Sequence, residues 1–318
     1  MHDLLFILGG LALLALGGEI LVRGACSIAL KLRVAPVVIG ATIVAAGTSM
    51  PELVVSVAAA FRGSPDVAMG NVVGSNVYNI ALILGGAALV LPLAVQSVIV
   101  RRQWPVMMGA AIALHMLARD LELDRLEGAV LLGGMVLFLA WTARLARLEA
   151  PPAEQATFGT VAARGQGAAR ALLLAVLGLV AGVALLVLGA HLLVEGAISV
   201  AQAFGLSERV IGLTVVAVGT CLPELVTSVV AALHGRADLA LANVVGSNIF
   251  NVLGILGVTA LVHPVAINQR TVAADDWWML GLSLLLLPLM ITGKVVSRLE
   301  GGVLLALGCV WTAWLFLS

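Results

Sequence analysis

Charged side chains are scarce in this sequence. Asp, Glu, Lys and Arg make up only 11% of the 318 residues, and 17 basic side chains balance 17 acidic ones. Proteins that bind nucleic acid usually carry an excess of basic residues. The charge balance therefore gives no indication of a nucleic-acid partner.

Cysteine is also rare. The three cysteines, Cys26, Cys221 and Cys309, all lie inside apolar segments, and the sequence contains no Asn-x-Ser/Thr glycosylation signal. A secreted disulfide framework has instead an even number of cysteines in a short chain. The cysteines therefore cannot be interpreted as such a framework.

Apolar residues make up most of the chain. They account for 62% of it, and the mean hydropathy is +1.15. Runs of about 20 apolar residues, long enough to cross a bilayer as helices, recur along the whole length. The sequence therefore predicts an all-α polytopic membrane protein that lies in the lipid bilayer and has ten transmembrane helices. Their approximate bounds are 4–30, 34–61, 66–92, 104–118, 126–146, 171–200, 208–233, 238–263, 276–292 and 299–317.

The second half of the sequence repeats the first. Residues 40–79 and 212–251 align without a gap at an offset of 172, and 24 of the 40 aligned positions are identical. The same offset aligns Pro92 with Pro264. A period this long excludes a solenoid. We predict a first repeat over 1–147, a linker over 148–170 and a second repeat over 171–318.

Each repeat contains five predicted spans. Because five is odd, the second repeat enters the membrane from the opposite side, which gives an inverted-topology pair. Such pairs are typical of secondary transporters, with the substrate site near the midplane between the repeats. The loops on one side contain 11 Lys and Arg residues and those on the other contain 5. This excess predicts a cytoplasmic linker and two external termini.

An ionisable residue interrupts the second span of each repeat. Glu52 lies near the centre of its span, and Glu224 occupies the equivalent place. A carboxylate at that depth costs about 2.5–3.5 kcal/mol, so two of them in equivalent positions indicate one shared site. Each follows a proline, Pro51 or Pro223, which removes a backbone hydrogen bond and frees a carbonyl one turn earlier.

Further oxygen atoms surround the two glutamates in the sequence pattern. Freed carbonyls are expected within 45–48 and 217–220, including those of Ala45 and Ala217. Helical spacing places additional polar residues on shared faces. They are Ser49, Ser56, Asn71, Ser75 and Asn79 in the first repeat, and Ser228, Asn243, Ser247 and Asn251 in the second. We expect these faces to converge on a site for a hard cation such as Ca²⁺, which prefers carboxylate and carbonyl oxygens.

A structural role is the alternative for each single hydroxyl or amide, because Ser, Thr and Asn in membrane helices often join neighbouring helices. It is much weaker for the two symmetric Glu–Pro pairs. Glu19 with Arg23, and His191 with Glu195, have the i, i+4 spacing of structural ion pairs. The carboxylates at 120–127 and at 275–276 are expected to mark solvated external loop ends.

The paired blocks GTSMPE…GNVVGSN and GTCLPE…ANVVGSN resemble the two alpha repeats of the cation/Ca²⁺ antiporter superfamily, most closely the prokaryotic sodium/calcium exchangers. The resemblance covers nearly the whole chain. It implies alternating access around one ion cluster, switched by slides of the first and sixth helices. It also implies a protein of a prokaryotic inner (plasma) membrane that transports Ca²⁺ and Na⁺ as substrates, with no cofactor and no obligatory protein partner.

The resemblance also assigns roles to residues. It implies that Glu52 and Glu224 hold Ca²⁺ and share in binding Na⁺, and that Thr48 and Thr220 lend backbone oxygens to Ca²⁺. Hydroxyl ligands for Na⁺ are implied at Ser49, Ser75 and Ser247, and central polar positions at Asn79 and Asn251. Cys221 departs from the pattern, which has Ser there, so one Na⁺ site loses an oxygen. Asn251 stands where K⁺-dependent relatives have Asp, which argues against K⁺ co-transport.

The predicted function is Na⁺/Ca²⁺ antiport and not catalysis. Two carboxylates neutralise one Ca²⁺, and the same oxygens could instead hold several Na⁺. Exchange of H⁺ for Ca²⁺ or another divalent cation stays open, because neighbouring carboxyl groups in a pocket of low polarity could carry protons. A cation channel is a second alternative. An intramembrane enzyme is disfavoured, since the predicted midplane offers no His/Cys metal cluster and no nucleophile–base pair.

Overall fold

The computed structural model describes residues 2–32, 34–62, 65–148, 166–203 and 217–317, and nearly all of them are helical. The helices of the first half are α1 (His2–Leu32), α2 (Pro36–Ile39), α3 (Ala45–Thr48), α4 (Met50–Phe61), α5 (Pro65–Tyr78), α6 (Gly85–Val90), α7 (Trp104–Leu117) and α8 (Arg125–Leu148). Those of the second half are α9 (Gln166–Ala203), α10 (Ala217–Thr220), α11 (Leu222–Leu233), α12 (Ala237–Ile249), α13 (Gly257–Val262), α14 (Asp276–Ile291) and α15 (Arg298–Leu317).

Wider π-helical turns join several of these helices. They span Gly40–Val44, Asn79–Leu84, Ile99–Gln103, Phe250–Leu256 and Thr271–Asp275, and short 3₁₀ turns span Ala118–Asp120 and Thr292–Lys294. A π-helical turn departs from the ordinary α-helical hydrogen-bond pattern and often occurs at functional sites. Asn79 and Asn251, the predicted central residues, lie in two of these turns that occupy equivalent places in the two halves.

The helices are those of a membrane protein, although their number differs from the prediction. Seven described helices are long and apolar enough to cross a bilayer, and the bent segment Pro36–Phe61 makes an eighth if it counts as one span. Ten were predicted from the sequence. α7 falls short because polar residues, including Arg101 and Arg102, occupy the π-helical turn before it. The predicted span 208–233 lies partly outside the described residues.

Two short antiparallel strand pairs connect the two halves of the chain. β1 (Leu93–Ala94) pairs with β4 (Val295–Val296), and β2 (Glu122–Leu123) pairs with β3 (Val265–Ala266). β1 and β3 are 172 residues apart, as the sequence repeat requires, and β2 and β4 are 173 apart. Each strand therefore pairs with the other half of the chain, in two equivalent places.

The long helices α1 and α9 pack antiparallel with their backbones in contact. A Cβ atom on Gly10 would lie 2.7 Å from the carbonyl oxygen of Gly189, and one on Gly24 would lie 3.1 Å from that of Ala175. Between these points, a Cβ atom on Gly182 would lie 2.6 Å from the backbone nitrogen of Leu21. Only glycine allows two helices to approach this closely at these points.

The chain breaks where the two glutamates were predicted to interrupt their spans. Helices α3 and α4 meet at Ser49 with a bend of 44°. Cys221, with φ −84° and ψ 0°, separates α10 from α11 in the same way. Each proline stands in the first turn of the second helix, where its missing N–H costs no hydrogen bond. Two helices, α4 and α11, therefore begin in the interior of the protein.

Candidate ion-binding site

Two buried glutamates lie at the centre of the site. Glu52 and Glu224 are each only 1% exposed, and each lies in the first turn of its helix, α4 or α11. The partial positive charge at a helix N-terminus favours a carboxylate there. Oε2 of each carboxyl group is buried and has no hydrogen-bond partner among the described residues. These two oxygens are available to a ligand.

Each glutamate is contacted by residues of the opposite half. The hydroxyl group of Ser49 donates a hydrogen bond of 2.8 Å to Oε1 of Glu224, and the side chain of Thr48 also contacts that carboxyl group. In the equivalent arrangement, the side chains of Thr220 and Cys221 contact Glu52. We call this the crosswise arrangement. It brings both broken helices of the prediction to one place.

Four asparagines form a second layer, on segments that pack against the glutamate-bearing helices α4 and α11. Asn79 donates a hydrogen bond of 2.9 Å to Oδ1 of Asn248, and Asn251 donates one of 3.0 Å to Oδ1 of Asn76. All four are 1% exposed. The amide oxygens of Asn79 and Asn251 have no partner within the described part of the chain. Asn76 and Asn248 were missed in the sequence analysis, although both belong to the repeated block Gly-Ser-Asn.

The predicted hydroxyl residues fall into two groups. Ser75 lies 3.6 Å from the sulfur of Cys221, whose side chain contacts Glu52, and the hydroxyl group of Ser247 is buried without a partner among described residues. Ser56 instead accepts a hydrogen bond of 2.9 Å from Asn71, and Ser228 accepts one of 3.3 Å from Asn243. These latter pairs join neighbouring helices. Their geometry fits the structural role that the sequence analysis left as an alternative.

The backbone of the broken helices was expected to supply carbonyl oxygens. The carbonyl of Ala45 accepts hydrogen bonds from the N–H of Ser49, at 3.0 Å, and from the hydroxyl group of Thr48, at 3.3 Å. Pro51 cannot donate to the carbonyl of Gly47, one turn earlier. Ala217 is the first described residue of the second broken segment. The proline therefore removes the usual helical donor from the carbonyl of Gly47, whereas the carbonyl of Ala45 keeps its partner.

The chemistry of the site is that of oxygen ligands for a hard cation. Within the described residues, five buried side-chain oxygens of the cluster have no partner, those of Glu52, Asn79, Glu224, Ser247 and Asn251. Unpaired polar atoms in the interior cost free energy, and a bound cation would satisfy them. No group of three or more His, Cys, Asp or Glu side chains in the described chain could hold a metal ion. The donors present therefore suit Ca²⁺ or Na⁺ better than a transition metal.

The peripheral ion pairs agree with the sequence analysis. Arg23 contacts Glu19 at 2.5 Å, and the imidazole of His191 lies 3.6 Å from the carboxylate of Glu195. Glu19 also lies 3.2 Å from the imidazole of His234, at the end of α11. These groups lie on the exposed parts of their helices, as structural pairs do.

One interpretation of the acidic residues is wrong. Asp276 was expected at a solvated loop end, but its side chain is completely buried. The π-helical turn Thr271–Asp275 already begins the helical segment, so Asp276 lies inside it and packs against His115 of α7. Asp275 is partly buried. Asp120, Glu122 and Asp124 are exposed, as that interpretation requires, and their placement outside the membrane stays a prediction.

Comparisons with known proteins show similarity to one family over most of the chain. The family model described as "Sodium/calcium exchanger protein" matches residues 2–144 and 174–317. The CaxA protein of Alkalimonas amylolytica is 41% identical over 311 residues, which cover 95% of this chain and 94% of CaxA. The sodium/calcium exchanger MaX1 of Methanosarcina acetivorans is 33% identical over 333 residues, or 95% of each chain.

A solved structure is similar over the same length. The sodium-calcium exchanger NCX_Mj, soaked with 10 mM Na⁺ and zero Ca²⁺, superposes with a TM-score of 0.84 at 31% sequence identity, and the match covers 98% of both chains. The similarity therefore includes both halves and both broken segments.

Proposed function

This chain belongs to the sodium/calcium exchanger family, and from that premise we propose that it exchanges Na⁺ for Ca²⁺ across the membrane by alternating access to one site. The observation that carries the proposal is the buried pair of Glu52 and Glu224, each with an oxygen that lacks a partner in the described structure. A protein does not usually keep two such carboxylates at membrane depth without a functional reason.

The charges of the site favour competition between the two ions. The two carboxylates neutralise one Ca²⁺, with backbone oxygens of the broken helices, near Thr48 and Thr220, as further ligands. Na⁺ would use the same carboxylates together with nearby hydroxyl and amide oxygens. Those are the side chains of Ser49, Ser75, Asn79, Ser247 and Asn251. Both ions cannot bind together, because too many positive charges would share one pocket of low polarity.

We also propose the ten-helix, inverted-repeat architecture for this function. The antiparallel packing of α1 on α9 and the two equivalent strand pairs support it. In this arrangement the linker 148–170 is cytoplasmic and both termini are external. Residues 149–165 of that linker lie outside the described residues.

Exchange of H⁺ for Ca²⁺ is the second candidate, and one observation favours it. The sulfur of Cys221 takes the place in the cluster that a hydroxyl oxygen, Ser49, takes in the other half. A thiol is a poor ligand for Na⁺. Loss of one hard donor weakens Na⁺ binding without affecting proton binding to the carboxyl groups.

Ion flux into liposomes separates these functions. Purified protein is reconstituted into vesicles loaded with Na⁺, and uptake of radiolabelled Ca²⁺ is followed with equal pH on both sides. We expect the outward Na⁺ gradient alone to drive uptake. Uptake that needs a pH gradient instead would establish H⁺ exchange, and equal uptake without any counter-ion would establish a channel. The double variant Glu52→Gln with Glu224→Gln gives the background.

A further inference from the structure

A buried acid and base lie outside the central cluster. His115 near the end of α7 is 8% exposed and Asp276 at the start of α14 is 0% exposed. Nδ1 of the imidazole lies 3.6 Å from Oδ2 of the carboxyl group. Within the described residues, neither this nitrogen nor either oxygen of Asp276 has a hydrogen-bond partner. A shared proton would satisfy both groups after the gap closes slightly.

The residues around His115 and Asp276 favour a proton, and not a metal ion, as the ligand of this pair. The ring of Trp277 packs edge-on against the imidazole, with 4.8 Å between ring centroids, and Asp275 is the acidic group whose charge acts on Asp276. Other charged or titratable residues of this helix pair and its neighbours lie on the flanking turns or at helix ends. They are Asp66, Tyr78, Arg101, Arg102, Arg119, Asp120, Arg125, Glu127, Arg144, Asp238, Arg270 and Lys294. No third metal-binding side chain joins the pair among the described residues.

The fold does not require this pair. The repeat offset of 172 relates Asp276 to Trp104 and His115 to Leu287, at the other end of the same crossing of α7 and α14. There the indole nitrogen of Trp104 donates a hydrogen bond of 2.7 Å to the carbonyl oxygen of Ser283. The equivalent position is therefore filled without any ionisable group. The buried acid and base occur at one end of the α7–α14 crossing and not at the other. This asymmetry indicates a function for the pair.

The pair is connected to the asparagine layer of the candidate site. Met279, one helical turn after Asp276, accepts a hydrogen bond of 3.4 Å from Asn76 through its sulfur. Asn76 in turn accepts the hydrogen bond of 3.0 Å from Asn251. A shift of α14 would therefore reach the amide groups that line the cluster.

We propose that His115 and Asp276 together bind one proton at a site separate from the ion cluster, and that loss of this proton slows ion exchange. Without the proton, Asp276 is a buried charge with no partner, a costly state that α14 relieves by moving toward water. That movement displaces Met279 and the asparagines. The effect on rate rests on the proposed exchange function, whereas the proton site itself does not.

The first test is the pH dependence of transport. Na⁺-driven Ca²⁺ uptake is measured with equal pH on both sides, over about pH 5.5 to 8.5, the range in which histidine changes charge. We expect the wild-type rate to fall on the alkaline side by about fivefold, a typical size for coupling between sites. His115→Gln and Asp276→Asn should both lack this fall, and the control His263→Gln should keep it. A fall that persists in both pair variants would refute the coupling.

The second test needs no transport. The rate of hydrogen–deuterium exchange at C2 of His115, measured by mass spectrometry against pH in purified protein, reports the protonation of its ring. The midpoint of this pH dependence should differ between wild type and Asp276→Asn, because the variant removes the carboxyl group that lies beside the imidazole. The midpoint of His263 should not change. An unchanged His115 midpoint would remove the proton site, even if Na⁺-driven exchange is established. If the His115 midpoint changes but the protein does not exchange Na⁺ for Ca²⁺, the proton site is supported and the proposed function is wrong.

Discussion

At the level of single residues, the two glutamates provide the negative charge of the candidate site. Both are 1% exposed, and each has an oxygen without a described partner. We predict that Glu52→Gln or Glu224→Gln weakens Ca²⁺ binding at least about thirtyfold, equal to about 2 kcal/mol, because the amide keeps the shape without the charge. Calorimetric titration of the purified variants with Ca²⁺ measures this.

The same variants should fold normally. Burying a carboxylate is costly, so its neutral amide should not lower stability. The control is Glu122→Gln, at an exposed carboxylate far from the cluster in sequence, which should bind Ca²⁺ as wild type does. Wild-type affinity in either central variant would exclude that glutamate from the Ca²⁺ site.

Cys221 is the residue at which the two halves of the cluster differ chemically. Its sulfur lies 3.6 Å from Ser75 and its side chain contacts Glu52, whereas Ser49 holds the equivalent place with a hydroxyl group. We predict that Cys221→Ser lowers the Na⁺ concentration for half-maximal exchange about fivefold, equal to about 1 kcal/mol, and steepens the Na⁺ dependence. The Na⁺ dependence of Ca²⁺ uptake in liposomes measures this.

Apparent Ca²⁺ affinity should change little in Cys221→Ser, because carboxylates and carbonyls supply most of the Ca²⁺ ligands. Cys309→Ser, at an exposed cysteine, is the matched control. An unchanged Na⁺ curve would show that position 221 does not contact the ion. A changed Ca²⁺ affinity with an unchanged Na⁺ curve would assign the residue to the other ion.

At the level of secondary-structure elements, the contact of α1 with α9 depends on glycine. A Cβ atom at Gly182 would lie 2.6 Å from the backbone nitrogen of Leu21, whereas one at Gly178 in the same helix would meet nothing within 4 Å. We predict that Gly182→Ala destabilises the protein by about 1–3 kcal/mol, the usual cost of overpacking. Gly178→Ala should be neutral or slightly stabilising.

Thermal unfolding of the two glycine variants in detergent measures this difference. Equal midpoints would show that the two helices separate without cost. Because both changes add one methyl group to the same helix, helix propensity cannot explain a difference between them.

The broken helices show how far sequence reasoning reaches at this scale. Pro51 and Pro223 predict the breaks because proline has a fixed chemical effect on the backbone. The π-helical turn at Asn79 leaves no such signature, since it depends on packing of neighbouring helices. Asp276 was misplaced because charge alone suggests solvent, and only the three-dimensional packing of α7 on α14 shows that it is buried.

The candidate site was largely predictable for a different reason. Its residues recur at one offset in both halves, so the repetition identified Glu52 and Glu224 without any structure. Asn76 and Asn248 were missed because helical spacing was applied from Asn71 and Asn243, which selects i, i+4 and i+8 and passes over them. The crosswise contacts could not be predicted, because they depend on how the two halves pack.

At the level of the whole molecule, the two halves are joined by contacts that do not need the linker. β1 pairs with β4, β2 pairs with β3, and α1 packs along α9. We predict that co-expressed fragments 1–155 and 156–318 assemble and restore exchange, with the cut outside the described residues. Flux in vesicles that contain both fragments measures this.

Either fragment alone should be inactive, because each contains one of the two glutamates. Fragments that reach the membrane and associate but do not exchange ions would show that the linker has a role in gating. Fragments that fail to associate would contradict the inference from the strand pairs and helix contacts.

In the crosswise arrangement, a cation bound by both glutamates, as proposed, would link the two halves to each other. A ligand that binds only the assembled state stabilises it by about 2.7 kcal/mol at a hundredfold excess over Kd. Ca²⁺ should therefore slow dissociation of the two fragments in detergent, as measured by co-purification with Ca²⁺ or with a chelator. The effect should vanish in Glu52→Gln, and equal recovery of wild-type fragments in both conditions would count against it. The two halves would then be held together least strongly in the state of the transport cycle in which the site holds no ion.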